Sequence, residues 1–118
     1  MQAKAEPTPW TCRDLLAPTR WSSGYIVRIV PDLFEPEIRE SFRDKVFAAM
    51  ALCPHLRFEM RTAYPRIFDS YVRKIADDEM EYKAWRLSVG DMLYELGRGH
   101  EATGPGPAWP LKNVDLVN

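Results

Sequence analysis

Histidine and cysteine, the residues most often found in catalytic and metal sites, are scarce in this chain. Two of each occur in 118 residues, and neither His55 and His100 nor Cys12 and Cys53 are closely spaced. Histidine is the usual general base, and metal sites need clustered His, Cys or acidic ligands. A glycine-rich phosphate-binding loop is also missing. The sequence therefore argues against a self-contained enzyme, and we expect no catalytic residue, no bound cofactor and no metal ligand in this chain.

Long hydrophobic runs and an excess of one charge are missing as well. No run of apolar residues approaches the roughly 18 that can cross a membrane, and the first ten residues lack the apolar core of a secretory signal. Sixteen basic and seventeen acidic residues give a net charge of −1, which excludes a global attraction to nucleic acid or anionic lipid. The basic and aromatic residues at 57–74 and the four carboxylates at 77–81 are interpreted as solvated surface. We predict a cytoplasmic protein that binds neither nucleic acid nor membrane.

Apolar residues at helical spacing are frequent in the centre of the chain. Hydrophobic residues make up 46% of the sequence, which is enough for the core of one domain. Between Pro36 and Cys53 they recur at steps of three and four residues, and this spacing predicts a first helix. Proline suits a first helical turn, and Pro54 should end the helix at or before Cys53.

A second periodic region covers residues 66–96. Its apolar side chains recur at alternating steps of three and four residues, which is a heptad pattern. Asp78 interrupts the apolar stripe, so two alternatives stay open: one long helix, or two helices that meet near residue 78. In the second case Asp77 or Asp78 serves as N-cap of the last helix, and Gly97 is placed to end it.

The remaining segments carry weaker signals. Residues 25–30 are rich in β-branched side chains and favour a short strand, whereas residues 56–62 fit either a strand or a short helix. Residues 1–24 and 98–118 are rich in proline, glycine and tryptophan, which indicates an extended N-terminal arm and a C-terminal tail. We therefore expect a mainly α fold, with a helical domain of three to four helices at 25–97, extended arms on both sides and room for one short strand.

One face of the last predicted helix carries large side chains. Its members lie at alternating steps of three and four residues and share one side of the helix: Tyr82, Trp85, Val89, Met92 and Leu96. Such a stripe can close the chain's own core, hold a partner chain or line a ligand pocket. Taken alone, Tyr82 and Trp85 are more typical of a core than of a ligand site.

The segment that contains this stripe resembles part of a known family. "EYKAWRLSVGDMLYELG" is similar to the segment of nitrile hydratase β subunits, and of the small activator proteins of that enzyme, in which a tyrosine and a tryptophan precede an apolar helix that ends in glycine. Upstream, "ESFRDKVFAAMAL" and "YPRIFDSYVRKI" resemble the first and second helices of the same module. The resemblance covers about residues 33–97.

The resemblance implies an all-helical module that packs on the α subunit of a nitrile hydratase-like or thiocyanate hydrolase-like complex. In that family a cysteine cluster on the α subunit holds cobalt or iron, so the metal is expected on a partner chain. The positions that would face the substrate channel or the partner are Arg73, Tyr82, Trp85 and Val89. The positions that would fix the two arms on the partner are Trp10, Trp21 and Trp109.

Departures from the family pattern favour an accessory role. Glu81 stands where the family has a second tyrosine in the substrate pocket, and this sequence contains no counterpart of the β-barrel half of a β subunit. We expect a small subunit that is catalytically silent alone, with a further β-like subunit as an additional partner. One alternative is an activator, a metallochaperone-like partner that binds the α subunit during metal loading. The other is an unrelated self-associating helical protein, in which Asp78 fixes the register of a paired heptad stripe.

Overall fold

The computed structural model describes residues 7–117, in which short strands and helices form an α/β fold. The strands are β1 (Thr8–Trp10), β2 (Ile26–Ile29), β3 (Arg57–Met60) and β4 (Val114–Leu116). The helices are α1 (Glu40–Ala51), α2 (Pro65–Asp77) and α3 (Glu79–Glu95). Two short 3-10 helices span Ala17–Arg20 and Gly99–Thr103.

The prediction of a mainly α fold with room for one short strand is wrong, because four strands form a parallel sheet. Strands of three or four residues are too short to show a clear alternation of apolar and polar side chains. β1 and β4 lie in the segments predicted to be an arm and a tail, and their partner strands are distant in sequence. The two segments with strand character, 25–30 and 56–62, both contain strands, and these pair with each other.

The helices of the described chain lie on one face of this sheet. The strands follow one another in the order β1-β2-β3-β4, and every pair is parallel. Crossovers between parallel strands are almost always right-handed, so strands added in one direction place their crossovers on the same face. The burial pattern agrees, because alternate residues of the two central strands are buried in the core: Val27, Ile29, Phe58 and Met60.

The opposite face of the sheet carries charged side chains. Arg28 of β2 lies 3.2 Å from Glu59 of β3, which is its neighbour in the strand register. Arg57 of β3 lies 2.7 Å from Asp115 of β4. Parallel sheets are usually covered on both faces by apolar packing. Here the ion pairs give the second face a chemistry that suits contact with water.

α1 begins one turn later than the sequence predicted, at Glu40 instead of Pro36. The guanidinium of Arg43 is buried and donates hydrogen bonds to the carbonyl oxygens of Leu33 and Glu35, at 3.0 and 2.9 Å. These bonds hold the preceding turn against the first part of the helix. The residues that follow Pro36 therefore belong to that turn and not to α1.

The boundary between α2 and α3 lies at Asp78, and this confirms the alternative with two helices. The Asp78 carboxylate accepts hydrogen bonds from the backbone nitrogens of Met80 and Glu81, at 2.9 and 3.3 Å. α3 ends after Glu95, where Gly97 has a φ of +73°, the left-handed conformation that glycine adopts without strain. The predicted N-cap and the predicted end of the helix are both confirmed.

The core between the sheet and the helices contains a chain of aromatic rings. Phe34, Phe47 and Tyr71 lie within 5.2–6.2 Å of one another, measured between ring centroids. Trp109 contacts Phe47 at 5.5 Å and Trp85 at 4.8 Å. Because Trp109 comes from the segment predicted to be a tail, that segment is part of the folded domain.

Candidate functional site

The aromatic stripe of α3 closes the chain's own core. Trp85 is 1% exposed, and Val89 and Met92 are also buried. The ring of Trp85 lies between those of Tyr82 and Trp109, with centroid distances of 5.8 and 4.8 Å. The sequence left three uses open for this stripe: the chain's own core, a partner chain or a ligand pocket. The structure shows that Trp85 and Val89 belong to the core. Trp85 is therefore not accessible to a partner or a substrate in this conformation, and only 6% of Val89 is exposed.

The other two residues predicted to face a channel or a partner have different surroundings. Tyr82 is half-buried, and its hydroxyl donates a hydrogen bond of 2.6 Å to the carbonyl oxygen of Pro107. Arg73 lies on the exposed side of α2, 3.2 Å from Asp69. An exposed pair of this kind contributes little to stability. Tyr82 thus holds the C-terminal segment, and Arg73 belongs to the solvated surface of α2.

The three tryptophans predicted to fix the arms on a partner contact the chain itself. Trp10 is buried in β1. Trp21 is partly buried against the core, and its carbonyl oxygen lies 3.0 Å from Nε2 of His55. Nε1 of Trp109 donates a hydrogen bond of 2.9 Å to the carbonyl oxygen of Val72. Both arms therefore contribute to the sheet and the core.

The two cysteine thiols of residues 7–117 lack the surroundings that activate a nucleophile. Cys12 and Cys53 are buried, and burial raises the pKa of each thiol to about 12. Such thiols stay protonated near neutral pH and react slowly. Within the same residues, no three His, Cys, Asp or Glu side chains are grouped so that they could hold a metal ion. None of the described helices has the length and hydrophobicity needed to cross a membrane.

One half-buried acid has a shifted pKa. The hydroxyl of Tyr71 donates a hydrogen bond of 2.7 Å to the carboxylate of Asp44. Burial and the nearby Glu81 carboxylate raise the pKa of Asp44, and together they exceed the lowering by the hydrogen bond and by Arg43. Burial and the neighbouring carboxylate also raise the pKa of Tyr71. The pair joins α1 to α2, and its shifts are those expected of a desolvated structural hydrogen bond.

The outer face of α3 carries a row of exposed apolar side chains. Met80, Leu87 and Tyr94 are 72%, 71% and 72% exposed, more than the other large apolar residues that the structure describes. They are spaced by seven residues, so they form one line on the helix, on the side away from the buried Trp85. We call these three residues the outer row. Single exposed apolar residues are common, but a line of three along a helix is typical of a surface that packs on another protein.

An open groove of about 710 Å³ adjoins the outer row, between α3, the end of α1 and residues 98–107. Leu87 and Tyr94 of the outer row line one side of the groove. The other apolar residues along it include Leu52, Val89, Gly90, Leu93 and Ala102. Leu87 and Tyr94 thus join the outer row to the groove, whose lining is mostly apolar.

The C-terminal wall of the groove is held by contacts with α3. Arg86 donates a hydrogen bond of 2.8 Å to the carbonyl oxygen of Gly104, and its guanidinium lies 5.9 Å from the ring centroid of Tyr82. A Cβ atom at Gly106 would collide with the side chains of Arg86 and Tyr82. Glycine permits this close approach, since a methyl group would displace the Arg86 and Tyr82 side chains that hold the wall against the helix.

The two arginine side chains along the groove are already engaged within the chain, and Lys83 is the remaining basic group. Arg86 binds the wall, and Arg98 contacts the carboxylate of Glu101 with distances of 2.6 and 2.8 Å. Lys83 lies 3.4 Å from Glu79. A site for a phosphate or a carboxylate ligand needs cationic groups that converge on one point. The groove is therefore better suited to apolar side chains than to an anion.

Comparison with known proteins assigns no family to this chain. No protein-family model, no curated protein and no solved structure matches it. The resemblance to nitrile hydratase β subunits therefore remains a prediction.

The outer row was not predicted from the sequence, although its spacing is visible there. The last predicted helix contains apolar residues at a seven-residue spacing, namely Met80, Leu87 and Tyr94. The same helix carries the bulkier stripe of Tyr82 and Trp85, which has more apolar members. Both stripes fit a helix, and only the position of the sheet and of α1 decides which one is buried.

Proposed function

We propose that this chain is a non-catalytic protein-binding module that acts through the outer row and the adjoining groove. The observation that supports this most directly is the exposure of Met80, Leu87 and Tyr94 on a helix whose opposite side is packed into the core. A mostly apolar centre with a charged rim is typical of protein interfaces. Burying a large apolar side chain contributes about 1.5–3 kcal/mol, so three such residues can drive an association after its entropic costs are met.

The packing of α3 supports the proposal, because the outer row stands on a firm base. The buried ring of Trp85 contacts Tyr82 and Trp109, and the N-cap of Asp78 fixes the start of the helix. A surface that is ordered before binding loses less conformational entropy when the complex forms. The second uncovered surface, the open face of the sheet, bears ion pairs and is less suited to a dry interface.

The narrower proposal of a β-type subunit or an activator, bound to a cobalt- or iron-bearing α subunit in the cytoplasm, is supported by the sequence resemblance alone. That resemblance implied an all-helical module with Trp85 directed at the partner. The chain has a parallel sheet, and Trp85 lies in its own core. If the partner of the outer row is a metal-bearing α-type subunit, the cross-linking experiment below identifies it.

The proposal can be tested by photo-cross-linking in the cells that naturally make the protein. The photoreactive amino acid p-benzoylphenylalanine replaces Leu87 in one variant and Ser41, an exposed residue of α1, in the control variant. We expect irradiation to join the variant with the probe at position 87 to a discrete polypeptide, and the control to give no such adduct. Equal labelling at both positions would contradict the proposal. Mass spectrometry of the adduct identifies the partner.

A further inference from the structure

We infer that the outer row binds a second copy of this chain, so that two α3 helices pair antiparallel about a two-fold axis at Leu87. The inference rests on the proposed function, because it names the partner of the same surface. It depends on three features of α3: the symmetry of the outer row, the placement of two opposite charges, and a glycine that the chain's own packing does not explain.

The outer row is symmetric about its central residue. Met80 lies seven positions before Leu87, and Tyr94 lies seven positions after it. In an antiparallel pair with a two-fold axis at Leu87, each residue faces the residue equally far along the helix on the other side of the axis. Leu87 therefore meets Leu87 of the second copy, and Met80 of each copy meets Tyr94 of the other. Contacts between a methionine sulfur and an aromatic ring are favourable.

The charges beside the outer row follow the same symmetry. Lys83 lies four positions before Leu87 and Asp91 four positions after it, and both are exposed. Each lies only about 40° around the helix from the outer row, so the antiparallel pair brings each lysine to the level of the aspartate of the other copy, near enough for the two side chains to meet across the contact, twice in the interface. A parallel pair in register would place lysine against lysine and aspartate against aspartate, so the charges select the antiparallel arrangement.

The remaining charged groups do not oppose this arrangement. Lys83 lies 3.4 Å from Glu79 in its own chain, but both side chains are exposed, and such a pair is weak enough to exchange. Glu79 and Glu95 are also equally far from Leu87. At 3.6 residues per turn each lies about 80° around the helix from the outer row, on opposite flanks. The two carboxylates therefore stay on opposite sides of the contact.

Gly90 supplies an independent argument for a close approach. A Cβ atom at this position would have one neighbour within 4 Å, the Cβ of Ala102 at 3.9 Å, so alanine would fit within the chain. Glycine inside a helix weakens it relative to alanine. In the antiparallel pair Gly90 and Ala84 of the second copy lie at the same level, because each lies three positions from Leu87. Both are small, so neither side chain holds the two helices apart beside the outer row.

The size of the contact predicts a modest affinity. α3 has 17 residues and is therefore about 25 Å long. A contact along one helix, with the groove at its side, is smaller than the roughly 1,600 Å² of a standard stable interface. We expect a dimer with a dissociation constant in the micromolar range, visible as a concentration-dependent equilibrium.

A charge-exchange experiment tests the pairing. Sedimentation equilibrium of the full chain should show a dimer. The single substitutions Lys83→Asp and Asp91→Lys should each raise the dissociation constant by about tenfold. The double variant Lys83→Asp/Asp91→Lys should have a dissociation constant within about threefold of that of the natural chain, because opposite charges again meet across the contact. Lys112→Asp, at an exposed position before β4, is the control and should leave the dissociation constant unchanged. A double variant as weak as the single ones would overturn the antiparallel pairing.

Cysteine cross-linking tests the position of the two-fold axis. Leu87→Cys should form a disulfide-linked dimer with copper phenanthroline as oxidant, since the two copies of position 87 meet. Met80→Cys alone should not, because its two copies lie about 21 Å apart along the pair, beyond the reach of a disulfide. A mixture of Met80→Cys with Tyr94→Cys should cross-link. The native Cys12 and Cys53 are buried and do not interfere. Equal cross-linking of Leu87→Cys and Met80→Cys would overturn the inference.

The two proposals fail in different ways. A purified chain that stays monomeric, together with a photo-adduct at position 87 to another protein, would overturn the self-pairing and leave the protein-binding function intact. A monomeric chain without a specific adduct at position 87 would overturn both.

Discussion

The indole rings of Trp85 and Trp109 meet edge to face, with centroids 4.8 Å apart and planes inclined by 62°. Trp85 lies in the middle of α3, and Trp109 lies in the segment that leads to β4. Trp109 also donates a hydrogen bond to the carbonyl oxygen of Val72 in α2. One side chain therefore fastens the C-terminal segment to two helices.

Replacing Trp109 should destabilise the whole domain. Trp109→Ala removes the contact with Trp85 and the hydrogen bond to Val72, and we expect the free energy of unfolding to fall by about 3 kcal/mol. Trp109→Phe keeps an aromatic ring but loses the hydrogen bond, and it should cost about 1 kcal/mol. Urea denaturation followed by circular dichroism measures both values. A loss below about 1 kcal/mol for the alanine variant would mean that the C-terminal segment is not fastened here.

The N-cap of α3 can be tested with two neighbouring aspartates. Asp78→Ala removes the acceptor for the backbone nitrogens of Met80 and Glu81 and should lower the free energy of unfolding by about 1 kcal/mol. Asp77→Ala, at the exposed end of α2, is the matched control and should change it by less than about 0.5 kcal/mol. Equal effects of the two substitutions would show that the loss of charge, and not of the cap, is responsible.

These local features could be predicted from the sequence because their causes are local. The cap at Asp78 acts on nitrogens two and three residues away, and Gly97 ends a helix through its own backbone conformation. Pro54 likewise keeps α1 from continuing, and the helix ends at Ala51. In each case the residue and its consequence lie within one helical turn.

The sheet could not be predicted, because its causes are distant in sequence. β4 has three residues and pairs with β3, more than 50 positions earlier in the chain. Three residues cannot display the alternation that reveals a strand, and "WPLKNVDLVN" has the composition of a loop. The outer row was missed for a related reason. α3 has two apolar stripes, and the tertiary packing alone decides which one faces outward.

The wall of the groove depends on one glycine. Gly106→Ala places a methyl group against Arg86 and Tyr82, and we expect it to lower the free energy of unfolding by about 1–2 kcal/mol. Gly104→Ala is the control, since its Cβ would have a backbone oxygen at 3.6 Å as its nearest neighbour, which is ordinary contact. Thermal denaturation of the two variants gives the comparison. A Gly106→Ala variant as stable as Gly104→Ala would show that the wall can move away from α3.

The raised pKa of Asp44 gives the stability a defined pH dependence. Burial raises the pKa of this carboxyl in the folded chain above its ordinary value of 3.8, so the folded state holds the proton more tightly than the unfolded state. The stabilisation from protonated Asp44 is complete below pH 3.8 and is lost as the pH rises through the raised pKa. Asp44→Asn still offers an acceptor to Tyr71 and does not ionise.

The free energy of unfolding of Asp44→Asn, relative to the natural chain, should therefore increase as the pH is raised from about 3 to about 7. Urea denaturation at a series of pH values measures this difference. Asp69→Asn, on the exposed surface of α2, is the matched control. A difference that decreases with pH would mean that ionised Asp44 is stabilised by its neighbours, contrary to the effect of burial.

The order of the strands has a consequence for how the molecule is made. A chain leaves the ribosome with its N-terminal part first, and each described strand pairs with the strand made just before it. The sheet can therefore grow by addition, because no later strand has to insert between two earlier ones. Its two edge strands, β1 and β4, have three residues each. β1 contains Pro9, which has no amide hydrogen. Short edges with proline discourage the addition of a foreign strand, so this architecture guards against aggregation through the sheet while α3 stays open to a specific contact.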